Sequence, residues 1–127
     1  MSKRYLQILN AILGAIPIVT GVVGMFGIHD PLYAPVHLAP SAVLDSNLRF
    51  FGGVWLGLGI ALYWLIPRIE KETVLFRALW GMIFIGGIGR LLSMRELTPP
   101  WPFIAFTTLE IFVGPILILW QARLAKP

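Results

Sequence analysis

Three charged side chains stand where the sequence is otherwise built to exclude charge. Glu110 lies inside the apolar run from Trp101 to Trp120, and no other ionisable residue falls between Glu96 and Arg123. Arg49 immediately precedes the uncharged segment Phe50–Pro67, and Arg90 follows a stretch that holds no charge after Arg77. A charge at bilayer depth costs several kcal/mol unless it is paired, hydrated or neutralised. A carboxylate and a guanidinium are the pair best suited to meet that cost, because their hydrogen bonds are directional and can be bidentate.

Helical rise turns these positions into depths. At ~1.5 Å per residue, Glu110 falls within about a residue of the middle of its run, and Arg49 and Arg90 lie roughly 10–12 Å nearer one face. The arginines have two readings: a buried network with Glu110, or side chains that snorkel to the headgroups. Glu110 is too short and too deep to snorkel. It is either a structural partner, ion-paired or protonated and hydrogen-bonded to a neighbouring helix, or a site for a proton, an ion or a ligand.

A second polar group surrounds Arg49. Asp45 precedes it by four residues, so the two share a face of any helix that begins after Ser41, a candidate N-cap, and Asn47 lies between them. The cluster Asp45, Asn47 and Arg49 reads as a helix start with an internal ion pair, or as a place for an anionic group such as a lipid phosphate.

These residues need helices to hold them. The chain has 127 residues, 57% hydrophobic and 13% charged, whereas a soluble domain carries about 25% charged residues. Runs of ~20 apolar residues suffice to cross a bilayer. The pattern predicts an all-α integral membrane four-helix bundle, a single transmembrane domain over 1–127 with spans near 5–28, 46–66, 73–93 and 102–121. The first span reads as a retained helix rather than a signal peptide, because its apolar stretch outruns an ordinary leader core. Pro31, Pro35 and Pro40 deny a continuous helix to residues 29–45. Lys3, Arg4, Arg68, Lys71, Arg77, Arg123 and Lys126 fall on one side of the spans, and Arg49, Arg90 and Arg95 on the other. The excess sets both termini in the cytoplasm.

Small residues give the expected packing faces. Gly53, Gly57 and Ala61 recur at four-residue spacing, and Gly86 and Gly89 mark the third span. Such spacing lets backbones approach closely in lipid, within one chain or between chains.

Several classes drop out. The net charge of +4 belongs to residues flanking apolar spans, so it points to topology and not to nucleic acid. Cysteine is absent, which removes disulfide and thiolate-metal chemistry. His29 and His37 share one loop and lack the companions a metal site needs. No phosphate-cradling loop or nucleophile elbow appears, and no cofactor is implied.

The segments Leu44-Asp45-Ser46-Asn47-Leu48-Arg49-Phe50-Phe51-Gly52-Gly53-Val54-Trp55-Leu56-Gly57-Leu58-Gly59 and Gly87-Ile88-Gly89-Arg90-Leu91-Leu92-Ser93 resemble the family known as domain of unknown function 4345. The likeness extends over nearly the whole chain and includes the glutamate of the last helix. It implies small four-helix proteins of the bacterial inner membrane, makes a homo-oligomer the expectation, and groups Asp45, Asn47, Arg49, Arg90 and Glu110 as polar positions. It carries over no reaction. The expectation is a non-enzymatic, oligomeric inner-membrane protein that contacts membrane lipids and supports lipid organisation or envelope integrity. The alternative is a small transporter or channel subunit for an amphiphilic or anionic solute, with Glu110 as its titratable group.

Overall fold

A computed structural model describes residues 2–126. It contains four long helices: α1 (Lys3–Gly24), α2 (Ala42–Trp64), α3 (Thr73–Ser93) and α4 (Trp101–Leu124). Short 3-10 helices occupy Gly27–His29, Pro31–Val36 and Ile66–Arg68, and no strand occurs among the described residues. The protein is all-α.

Local chemistry explains the boundaries. α1 stops four residues short of the expected 28, because the chain turns at Gly27 with φ +64, a conformation glycine adopts without strain. Pro31 and Pro35 lie within the second 3-10 helix, so the loop is helical only in short pieces. α2 begins ahead of the expected 46 because Ser41 caps it, its Oγ accepting a hydrogen bond from Leu44 N at 3.3 Å. α3 matches 73–93. α4 starts behind Pro100 with Pro102 in its first turn, where a missing N–H leaves nothing unsatisfied.

The chain divides into two compact units, Ile8–Ile66 and Met1–Gln7 with Pro67–Pro127. In the first, α1 and α2 run antiparallel. Asn10 Nδ2 donates to Leu62 O at 2.9 Å, and Trp55 Nε1 donates to Thr20 Oγ1 at 2.8 Å. Near the Trp55–Thr20 bond the backbones nearly touch. A Cβ on Gly21 would lie 2.5 Å from Leu56 N, and one on Gly59 would lie 2.9 Å from Ile18 N.

In the second unit, α3 and α4 are antiparallel neighbours. The buried residues of α4 are Thr107, Glu110, Gly114, Leu117 and Gln121, at alternating spacings of three and four. Those of α3 are Phe76, Leu79, Trp80, Ile83 and Gly87. Such spacing places a narrow seam on each helix, the pattern of side-by-side packing.

The character of the α4 seam identifies its solvent. Glu110, Thr107 and Gln121 are buried, while Phe112, Ile116 and Leu119 are more than half exposed. In water the two faces would be exchanged. Surrounded by hydrocarbon, apolar side chains lose nothing by facing outward and polar ones gain by pairing inside.

α1, α3 and α4 are long and apolar enough to cross a membrane. α2, expected to span at 46–66, falls short of them. It has the length, at 23 residues, but Asp45, Ser46, Asn47 and Arg49 occupy its first two turns, and four glycines add little apolar surface.

Candidate functional site

Each arginine singled out from the sequence has a carboxylate partner within its own unit. In the α3–α4 unit, Arg90 Nε stands 3.0 Å from Glu110 Oε2 and donates a hydrogen bond to Oε1 at 3.3 Å. The shorter approach is an ion-pair contact whose angle leaves Oε2 without a hydrogen bond. Glu110 is 8% exposed, whereas the Arg90 side chain is 40% exposed. The glutamate is thus buried in the seam, and the arginine reaches it from the rim. The Arg90 guanidinium also lies over the ring of Phe103, 5.8 Å from its centroid. A cation held over an aromatic face is attracted by the ring quadrupole.

The sequence Gly87-Ile88-Gly89-Arg90 now has a physical meaning. A Cβ on Gly87 would lie 2.8 Å from Glu110 Cβ, closer than side chains approach. Gly87 therefore makes the space that Glu110 fills, and Arg90 follows one turn later. Helical side chains lean toward the N-terminus of their own helix. Because α3 and α4 are antiparallel, Arg90 and Glu110 lean toward each other.

Gln121 forms a second polar group in this seam, one that sequence reasoning did not single out. It is 0% exposed, its Nε2 donates to Ile69 O at 3.1 Å and to Thr73 Oγ1 at 3.0 Å, and its Oε1 accepts from Arg77 Nε at 3.4 Å. The amide ties the end of α4 to the start of α3. Asn10 does similar work in the other unit, its Nδ2 donating to Leu62 O in the last turn of α2. The available signal was an amide set in a largely apolar helix.

In the α1–α2 unit, Asp45 and Arg49 form a node around the end of α1. Arg49 Nε donates to Asp45 Oδ2 at 2.7 Å, and its Nη1 donates to Met25 O at 2.7 Å. Asp45 Oδ1 accepts from Ile28 N at 3.1 Å. The Arg49 hydrogen bond and then the Ile28 N–H hold the Asp45 carboxyl below the usual carboxylate range, outweighing its desolvation. Gly27 is required here twice, by its positive φ and because a Cβ would collide with Asp45 Oδ1. Asn47, grouped with this pair in the sequence, is exposed and joins none of these contacts.

Within the chain, the close approaches use other glycines than the regularly spaced ones. A Cβ on Gly53, Gly57, Gly86 or Gly89 would meet nothing within 4 Å, and Ala61 is half-buried. Gly52 and Gly59 carry the close approach in α2, and Gly87 carries it in α3. Regular spacing identifies a small-residue face, but rotation of the helix decides which of two adjacent faces meets its neighbour within the chain.

The chain matches domain of unknown function (DUF4345) over residues 5–121. It belongs to that family. The DUF4345 match takes in most of each of the four long helices, with the Asp45–Arg49 and Arg90–Glu110 pairs. No curated protein and no solved structure matches the chain.

Proposed function

We propose that this DUF4345 protein is a non-enzymatic, oligomeric protein of the bacterial inner membrane that organises lipid and supports envelope integrity. All four long helices cross the bilayer with both termini in the cytoplasm, α2 among them because its polar end lies at the outer headgroups. The observation that carries the reading is the closure of Glu110 by Arg90 against Gly87. The deepest charge is occupied by a partner from the next helix, which is what a structural clasp requires.

Oligomerisation rests on the glycines left open. Gly53 and Gly57 on α2, and Gly86 and Gly89 on α3, have no neighbour within 4 Å of a Cβ. Small residues facing outward from a helix suit close approach by a second copy. The test is the mass of the particle in mild detergent with its bound lipid. An oligomer retaining lipid is expected; a lipid-free monomer would contradict the reading.

One observation favours a second reading, transport of an amphiphilic or anionic solute. Glu110 Oε2 is buried without a hydrogen bond, and an intramembrane carboxyl of that kind can couple a proton to a conformational change. Under this reading Glu110→Gln abolishes pH-dependent flux in vesicles while assembly is kept. Under the structural reading it weakens the fold and alters no flux.

A further inference from the structure

The antiparallel seam brings the basic residues of three helix ends together. Gly114 lies against Trp80, and Gln121 bonds to Ile69 and Thr73. Residues beyond Gln121 are therefore level with, or beyond, the start of α3. Lys3 Nζ bonds Glu70 Oε1 at 2.7 Å, which fixes the first turn of α1 at the same end. Arg4, Lys71, Arg77, Arg123 and Lys126 are all exposed there. Among the described residues, the acidic side chains that stand against them are Glu70, engaged by Lys3, and Glu72.

One of these cations is held in position. Arg77 sits one turn inside α3 and donates through Nε to the fully buried Gln121. That bond sets a guanidinium at the rim of the apolar span instead of leaving it on a free loop. Positive residues beside a span orient the chain during insertion, a task that needs their charge alone. A guanidinium anchored through one nitrogen presents a planar donor edge, which matches the phosphate of a headgroup.

We propose that this end of the α3–α4 unit, with Arg77 and Arg123 at its centre, selectively binds the phosphate headgroups of anionic phospholipids. The charge surplus supplies the complementarity, and the Gln121–Arg77 bond supplies the fixed geometry. Basic groups between helices on the cytoplasmic side suit such headgroups. This rests on the lipid-organising reading above and gives it a lipid class and a leaflet.

The test uses the full chain, reconstituted in equimolar phosphatidylglycerol and phosphatidylcholine, extracted in mild zwitterionic detergent and weighed by native mass spectrometry. Phosphatidylglycerol is expected to be retained in excess. Each basic residue beside an anionic surface is worth roughly fivefold in binding, so Arg77→Gln with Arg123→Gln should cut the excess by at least that factor. Arg77→Lys with Arg123→Lys keeps the charge but loses the planar donor edge, so it should retain an excess between those of the parent and the Gln pair, which separates lost binding from misfolding. Arg95→Gln, on the opposite side by the charge pattern, should change nothing. Equal retention of the two lipids would overturn the proposal while leaving the lipid-organising reading intact, and an equal effect of Arg95→Gln would do the same. Retention of no lipid by a monomer would overturn both.

Discussion

Gly87 and Glu110 face each other across the α3–α4 seam so closely that a methyl group on Gly87 would lie 2.8 Å from Glu110 Cβ. The space that lets a glutamate into the middle of an apolar helix is therefore made by its neighbour's missing side chain. Gly87→Ala must either push α4 outward or turn Glu110 away from Arg90. We expect a loss of about 1–3 kcal/mol, the usual range for overpacking a close interface. Gly81→Ala, in the same helix but with nothing within 4 Å of an added Cβ, should fall within about 0.5 kcal/mol of the parent, as surface changes do. Thermal unfolding of the two variants in the same detergent compares them directly.

Gln121 gives a second contrast. Its amide makes three hydrogen bonds and has no exposed surface. Gln121→Leu keeps the size but strands the Ile69 carbonyl and the Thr73 hydroxyl. Leaving buried polar groups unpaired costs about 1–3 kcal/mol. Gln121→Glu keeps an acceptor for Arg77 but removes the amide donor, and should be destabilised as well. Limited proteolysis between α2 and α3, where the amide ties down the chain, reports the local loosening.

Asp45 predicts a pH dependence with a definite sign. Its folded-state carboxyl titrates below the ordinary value because Arg49 and the Ile28 N–H favour the charged form. The stabilisation is therefore fully present above the unfolded value of about 3.9 and is lost as pH falls through the lower folded value. Asp45→Asn should lower the unfolding midpoint at neutral pH, and the gap to the parent should narrow below about pH 4. A constant gap across that range would assign the effect to packing instead of charge.

The helices and the charges in them were legible because length, composition and proline position leave few choices. Ser41 as the cap of α2 and Thr73–Ser93 as the third helix follow from local chemistry alone. Pairing of Arg90 with Glu110 was one of two arginine assignments allowed by depth, since helical rise fixes height but not azimuth. Azimuth also divides the glycines. Gly53 and Gly57 have the regular spacing, yet Gly52 and Gly59 meet α1, because the helix is turned by about one residue from the face the spacing suggests. Gln121 and Asn10 were hard to weigh for another reason. An uncharged amide signals little in composition, and its value depends on which carbonyl the fold leaves unpaired.

The central claim is that Arg90 and Glu110 form a structural clasp. A double-mutant cycle on Arg90→Gln and Glu110→Gln, read as unfolding free energy in detergent, tests it most directly. Polar pairs between membrane helices couple by about 0.6–2 kcal/mol, and the half-exposed Arg90 places this pair within that range. We predict that each single variant is destabilised and that the double variant loses less than their sum by that amount. Strictly additive losses, or a Glu110→Gln variant as stable as the parent, would contradict the clasp.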